Sequence, residues 1–274
     1  MIIELFGPPG AGKTTFSRAL MARLRECGHL AELRLSYRPA EHLPVFGPGR
    51  RATGRYQTPV MRRFRRSFGE VLAITRHPFA NSRDVRTAVH LVRLLPPKRI
   101  FASIKNSQYL LRLSHAWYEE SRAGHVALFD QAFVQAVCSL ALLARVENDT
   151  PIANALDYAP KSDVLIRLEA PLELLKARLH DRKRLQSTAE QLLEPDLETS
   201  LASAPMIDRL HHLLLRRGRT VLTASSINQH SLDVSVSMIA GEIVRSLQKA
   251  AELGENDGQG CYFESQRRPV WVTE

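Results

Sequence analysis

The sequence predicts an α/β fold with a parallel sheet, and two observations carry that prediction. Short apolar segments typical of strands alternate along the chain with longer stretches of helical periodicity, an order that favours a sheet covered by helices. A chain of 274 residues with 44% hydrophobic content can also bury the core of one large domain. The predicted strands are residues 1–6, 31–36, 125–130, 163–168 and 220–224.

A glycine-rich loop follows the first predicted strand and precedes the first predicted helix. Its sequence, GPPGAGKTT, fills every fixed position of the pattern G-x-x-x-x-G-K-[ST]. Gly10 and Gly12 allow a tight turn with inward N–H groups, and the helix that begins near Lys13 adds the positive end of its dipole. We therefore expect this phosphate loop, residues 7–15, to bind a nucleotide through Gly7, Pro8, Pro9, Gly10, Ala11, Gly12, Lys13, Thr14 and Thr15.

Three side chains are expected to act on the phosphates. Lys13 is expected to face solvent and to reach the β- and γ-phosphates of ATP, and the Thr14 hydroxyl is expected to ligate Mg²⁺. Asp130 ends the third strand, where parallel sheets bind ligands, so we expect it to organise the Mg²⁺ or to accept a proton from an attacking hydroxyl. The alternative interpretation is that Asp130 only caps a helix that begins at Gln131.

The remaining patterns indicate one domain, residues 1–250, followed by a loosely ordered tail at 251–274. A helical insertion at about 44–122 separates the second strand from the third, and residues 147–160 are expected to form a turn region. The first helix has an apolar face on which we place Cys27. Helical periodicity is found at residues 13–28, 59–76, 82–95, 99–122, 131–146, 196–217 and 231–250.

The formal net charge is +10 at pH 7, and much of the excess lies in the insertion. A run of arginines without an acid could bind a small anionic acceptor, a nucleic acid backbone or an acidic membrane surface, or it could be a solvated helix face. Few aromatic residues accompany it, so nucleic acid is the less favoured partner. The run consists of Arg50, Arg51, Arg55, Arg62, Arg63, Arg65 and Arg66.

Cysteine usage and hydropathy indicate a reducing, cytoplasmic setting. The 3 cysteines are far apart and lack C-x-x-C spacing, so they indicate neither a disulfide framework nor a zinc site. The longest apolar stretch, residues 136–144, is too short to span a bilayer. The N-terminus begins on the first strand, and we expect no secretory signal.

Five segments, taken in order, resemble the thymidylate kinase branch of the P-loop kinases: GPPGAGKTT, HVALFD, PKSDVLIRLEAP, KARLHDRKR and TVLTASSINQ. The resemblance covers most of residues 1–36 and 125–250. It implies a three-layer fold whose five-stranded sheet has the order 2-3-1-4-5. It also implies an arginine-rich lid and a loop after the fifth strand that contacts adenine. The residues concerned are Arg178, Arg182 and Arg184 in the lid, and Ala224, Ser225 and Ser226 in the base loop.

One position departs from the thymidylate kinase pattern. Gln131 follows Asp130, where that family has an arginine that engages the phosphate of the acceptor. A neutral amide does not replace a bidentate guanidinium on a phosphate. A neutral hydroxyl, or an anion recognised by the arginines of the insertion, is therefore favoured over thymidine monophosphate.

The leading functional hypothesis is an ATP- and Mg²⁺-dependent kinase that phosphorylates a small molecule such as a nucleotide, nucleoside or sugar. Lys13 and the arginines Arg178 and Arg182 would offset phosphate charge. The alternative for these arginines and Arg184 is an exposed basic helix end with no catalytic role, since cations favour helix C-termini. The alternative is a P-loop ATPase or a nucleotide-binding regulatory protein that acts with a partner or nucleic acid. No N-K-x-D motif is found, so ATP is preferred over GTP, and a homodimer is left open.

The insertion yields a prediction about the acceptor. Replacing Arg62, Arg63, Arg65 and Arg66 together with glutamine should raise the KM for the acceptor much more than the KM for ATP. Each charge-assisted contact contributes on the order of 1.5–3 kcal/mol when buried and less when exposed, and loss of uniform binding raises KM. Steady-state kinetics with each substrate varied in turn would measure this. An unchanged acceptor KM would identify the run as a solvated helix face.

Overall fold

A five-stranded parallel sheet forms the centre of the molecule. The computed structural model describes residues 1–35, 82–98, 100–185 and 197–256 of the 274-residue chain. The strand order is β2-β3-β1-β4-β5, and each adjacent pair is parallel. This confirms the predicted fold class and the strand order that the kinase resemblance implies. The strands are β1 (Ile2–Phe6), β2 (Ala31–Arg34), β3 (Val126–Phe129), β4 (Val164–Glu169) and β5 (Val221–Ser225).

Helices connect the strands and cover both faces of the sheet. Two of them, α2 and α3, belong to the insertion between β2 and β3, and both agree with the helical periodicity of the sequence. Residues 36–81, which include the first predicted insertion helix and the arginine run, lie outside the described residues. The described helices are α1 (Lys13–Glu26), α2 (Ser82–Leu94), α3 (Ile100–Glu120), α4 (Phe133–Ala144), α5 (Asp149–Tyr158), α6 (Leu172–Leu185), α7 (Leu197–Arg216) and α8 (Gln229–Asn256).

Alternate residues of β1 enter two separate hydrophobic cores. Ile2 and Phe6 pack on one face with the insertion helices, α4, α5 and α7. Ile3 and Leu5 pack on the other face with α1, α6 and α8. Because side chains alternate along a strand, a central strand buried on both faces reads as a continuous apolar run. The result is a three-layer arrangement in which the end of β1 is rigidly held.

Three local expectations were wrong. Cys27 is exposed and lies just after α1, whereas the rest of the predicted apolar face is buried. The expected turn region at 147–160 contains the helix α5, which begins where the Asn148 side chain accepts a hydrogen bond from the Thr150 N–H at 3.0 Å. Helix α8 continues to Asn256, six residues beyond the predicted end of this helix at residue 250.

Trp117 of the insertion packs into the core. Only 7% of its surface is exposed, and its ring lies 5.1 Å from that of Phe129 and 5.2 Å from that of Phe133. These contacts join α3 to β3 and α4. The insertion is therefore anchored on the sheet beside the carboxyl end of β3. None of the helices among the described residues is both long enough and apolar enough to cross a bilayer.

Glu4 is a buried carboxyl group in the middle of β1. Its Oε1 accepts a hydrogen bond of 2.6 Å from the N–H of Val134, in the first turn of α4. Burial raises the pKa of Glu4 from 4.5 to about 8, against the opposing effects of the Val134 hydrogen bond and the charge of Arg219. The carboxyl group therefore binds a proton in the folded state over a pH range in which the unfolded chain has released it.

Glu4 should make the protein less stable as the pH rises from about 5 to about 8, because the unfolded state binds fewer protons there. The expected loss is on the order of 2–4 kcal/mol, since one pKa unit corresponds to about 1.4 kcal/mol. In Glu4→Gln this loss should be absent, whereas Glu173→Gln, at an exposed position, should behave like the unaltered chain. Urea unfolding at pH 5.5 and pH 8.5 measures the difference. The same pH dependence in Glu4→Gln would contradict the assignment.

Candidate nucleotide-binding site

The phosphate loop leaves the carboxyl end of β1 in a conformation that requires glycine. Gly7 and Gly12 have φ angles of +153° and +87°. A Cβ atom on Gly7 would lie 2.5 Å from the carbonyl oxygen of Leu168, and one on Gly12 would collide with the Ser226 hydroxyl. The two fixed glycines of the sequence pattern are thus required by backbone geometry and by the close approach of neighbouring segments.

Lys13 closes the loop from the inside. Its Nζ donates hydrogen bonds to the carbonyl oxygens of Gly7 at 2.7 Å and Pro8 at 3.0 Å. Only 5% of the residue is exposed, so the expectation of a solvent-facing lysine was wrong. The backbone turns its carbonyl groups toward the ammonium because a buried cation needs hydrogen-bond acceptors. The two loop carbonyls therefore hold this charge in a defined position.

Thr14 and Asp130, the two predicted Mg²⁺ ligands, are in contact. The Thr14 hydroxyl donates to Asp130 Oδ2 at 3.0 Å, although 116 positions separate them in the sequence. Asp130 is 1% exposed and directly follows β3. The alternative interpretation of Asp130 as a helix cap is not what the structure shows, since α4 has Ala132 as its N-cap and no side-chain cap.

The start of α1 suits an anion. The helix begins at Lys13, has no acidic residue in its first turn and has no side-chain cap at Gly12. No acidic side chain in the first turn therefore offsets the positive end of the helix dipole. These features fit a polyphosphate, and the hydroxyl and carboxylate oxygens of Thr14 and Asp130 fit Mg²⁺, which prefers oxygen ligands.

Arg178 of α6 joins the phosphate loop to the predicted base loop. Its guanidinium donates to the carbonyl oxygens of Gly10 at 3.0 Å, Ser226 at 2.8 Å and Ile227 at 3.1 Å. The Ser226 hydroxyl adds a bond of 2.6 Å to the Ala11 carbonyl. The two predicted nucleotide-binding segments are therefore connected directly, and Arg178 is held between them instead of extending from a free segment.

The remaining predicted site residues have fewer described contacts. Ser225 donates its N–H to Ser235 Oγ at 3.2 Å, and Thr15 is exposed. Arg184 is exposed near the end of α6, while the side chain of Arg182 lies outside the described part of the chain. The roles of Arg178, Arg182 and the two serines in binding or catalysis remain predictions.

Sequence reasoning missed Gln135. Its Oε1 accepts the N–H of Gly7 at 3.3 Å, and the residue is 8% exposed. It lies in α4, whose sequence FVQAVCSLALLA is otherwise largely apolar. A buried amide in such a helix usually has a specific partner, and that signal could have marked it. Gln135 stabilises the first residue of the phosphate loop from the side of α4.

Comparisons with known proteins yield structural similarities alone. No family model matches the chain, and no curated protein matches it. Three similar solved structures are of deoxyadenosine kinase from M. mycoides, described with bound dATP, with the products dCMP and a flexible dCDP, and with bound dCTP. Their identities are 14%, 12% and 13%, and their TM-scores are 0.45, 0.44 and 0.43. Each alignment covers 89% of this chain and 99% or 100% of the other.

For the kinase hypothesised from the sequence, Lys13→Ala should lower kcat by about 10²–10³-fold or more, because it removes the positive charge expected to stabilise the developing phosphate charge. The variant should remain folded, since the substitution removes the buried cation together with its need for partners. Lys176→Ala is the matched control, because Lys176 lies on the surface of α6 and pairs with Glu173. Turnover assays and circular dichroism on both variants make the comparison. Normal turnover in Lys13→Ala would refute the assigned role of Lys13.

Proposed function

We propose that the chain is an ATP- and Mg²⁺-dependent phosphotransferase that transfers the γ-phosphoryl group to a small-molecule acceptor. The observation that carries the proposal is the contact of 3.0 Å between the Thr14 hydroxyl and Asp130 Oδ2, next to the buried residue Lys13 in the sequence. A phosphate-loop sequence alone predicts binding of a nucleotide. A buried carboxylate against the hydroxyl of that loop adds the ligand set for a catalytic metal ion.

Each group has a defined part in the proposed reaction. When bound, ATP supplies the phosphoryl group and Mg²⁺ neutralises part of the phosphate charge. Thr14 and Asp130 would hold the metal ion, and Lys13 with the N-terminus of α1 would stabilise negative charge on the transferring group. Little covalent chemistry is needed from the protein, because phosphoryl transfer depends chiefly on positioning and electrostatics.

The acceptor would enter beside the carboxyl end of β3. Asp130 directly follows this strand. Helix α3 covers the strand end through the contact of Trp117 with Phe129 and through a 3.5 Å hydrogen bond from the Tyr109 hydroxyl to the Gln131 carbonyl. The backbone at Gln131 is therefore tied to the insertion. This favours the insertion as the cover of the acceptor side, with a nucleoside, nucleotide or sugar as the candidate acceptors.

A screen of acceptors tests the proposal. ADP release should rise above the acceptor-free background with one class among nucleosides, nucleoside monophosphates, sugars and polynucleotide ends. Asp130→Asn keeps the shape of the side chain but removes its charge, so kcat with that acceptor should fall by about 10²-fold or more. Asp157→Asn is the control, because Asp157 lies on α5 and pairs with Arg217 at the surface.

The other outcomes separate the alternatives. ADP release that no acceptor increases would replace the kinase by a P-loop ATPase. Nucleotide binding without ADP release under any condition would favour a nucleotide-binding regulatory protein. An Asp130→Asn variant with full activity would remove the metal-ligand role while leaving the phosphate loop in place.

A further inference from the structure

A second group of potential metal ligands lies at the opposite end of the sheet. Glu32 on β2, Glu120 at the end of α3 and His125 just before β3 present one ligand atom each within 4.8 Å of one another. His125 precedes Asp130 by five positions along β3, which corresponds to about 16 Å of extended strand. This cluster therefore lies well away from the phosphate loop and is not used by the proposed phosphotransferase.

The tautomer of His125 is fixed by its backbone neighbour. Its Nδ1 lies 3.1 Å from the carbonyl oxygen of Ala123, which can only accept, so Nδ1 carries the proton and donates it. In the neutral ring, Nε2 then presents a lone pair. Metal-binding histidines commonly donate their other ring N–H to a carbonyl or carboxylate in this way, which orients the ring toward the ion.

The lone pair of His125 faces carboxylate oxygens. Nε2 lies 2.7 Å from Glu120 Oε2 and 3.9 Å from Glu32 Oε2. The side chains of His125 and Glu120 are 9% and 2% exposed. His125 Nε2 and Glu120 Oε2 are close but are not aligned for a hydrogen bond. Among the described residues, neither atom makes a hydrogen bond elsewhere. Two buried polar atoms this close without a hydrogen bond make an unfavourable contact, and a cation that accepts a lone pair from each of them would remove it.

Arg34 accounts for the other oxygen of Glu120. Its Nε and Nη2 both contact Glu120 Oε1, and Nη2 lies 3.7 Å from Glu32 Oε2. The guanidinium therefore leaves Glu120 Oε2 directed at His125. By formal charge, the two carboxylates exceed the single guanidinium by one, which favours a cation at this position.

We propose that Glu32, Glu120 and His125 bind a divalent transition metal ion, with Zn²⁺ as the best fit. One imidazole nitrogen and two carboxylate oxygens form a donor set that suits Zn²⁺ better than Mg²⁺, which prefers oxygen ligands. Three protein ligands leave a position for water. The ion would connect the edge strand β2 to the start of β3 and to the end of α3, the last helix of the insertion.

Zinc binding by the full chain tests this site. Equilibrium dialysis of the nucleotide-free protein against Zn²⁺ should show binding at this site. Titration with Co²⁺ should produce visible absorption from the ion bound there. Glu32→Gln and His125→Gln should weaken its affinity by at least tenfold and remove the corresponding Co²⁺ absorption. The matched control is Glu119→Gln, which alters an exposed carboxylate next to Glu120 that pairs with His115. The Zn²⁺ affinity of the Glu119→Gln variant should be unchanged.

Each result decides the proposal independently of kinase activity. Equal Zn²⁺ affinity in Glu32→Gln, His125→Gln and the unaltered chain would place any bound zinc elsewhere. Absence of binding in the unaltered chain would reduce the cluster to the ion pairs of Arg34 with the two glutamates. Glu32 is half-exposed on β2, so Glu32→Gln should fold, and circular dichroism verifies this for each variant.

Discussion

The parallel pairing of β1 with β3 is the constraint on which the candidate site depends. Glu4 of β1 lies opposite Phe129 of β3, so both strands end at the same edge of the sheet. The phosphate loop leaves one strand there and Asp130 follows the other, which brings Asp130 to the hydroxyl of Thr14. A shift in this register would separate the Thr14 hydroxyl from the Asp130 carboxylate while leaving the phosphate-loop sequence unchanged.

Polar groups around the loop are buried together with specific partners. Lys13 has two loop carbonyls, Asp130 has the Thr14 hydroxyl, and Gln135 has the N–H of Gly7. Each such group would destabilise the fold if its partner were removed, because an unsatisfied buried polar group costs on the order of 1–3 kcal/mol. The same contacts hold the charges in place at low dielectric, where they act more strongly on a ligand than they would in water.

Local signals predicted most of the fold, whereas contacts between distant segments were out of reach. Apolar runs and the glycine pattern identified the strands and the phosphate loop because both are encoded within a few consecutive residues. Helix α5 was missed, since it contains Pro151 and its start depends on the Asn148 cap in a stretch that also resembles a turn. Glu32, Glu120 and His125 lie close together because of the register between β2 and β3 and the position at which α3 ends. Residue spacing in the sequence reveals neither.

Lys13 can be buried because its ammonium group has hydrogen-bond partners in the structure. The sequence pattern of the phosphate loop did not predict this burial. A lysine in a glycine-rich loop is ordinarily expected to be solvated, because lysines are seldom fully buried without a partner. Here the partners are carbonyl groups of the loop itself, so burial depends on the loop conformation and not on any neighbouring residue type. Gln135 stands out as an amide in a largely apolar helix, but its partner, the N–H of Gly7, lies 128 positions away and could not be inferred from the sequence.

The contacts of Arg178 bear on how charge would be supplied to a transferring phosphoryl group. An arginine that arrives with a closing lid must lose conformational freedom during the reaction cycle, which reduces its net contribution. Arg178 already makes three hydrogen bonds to carbonyl groups of the two loops, so its position is fixed on folding. Its field, like that of Lys13, would then be preorganised, and preorganised charge requires no rearrangement when the transition state forms.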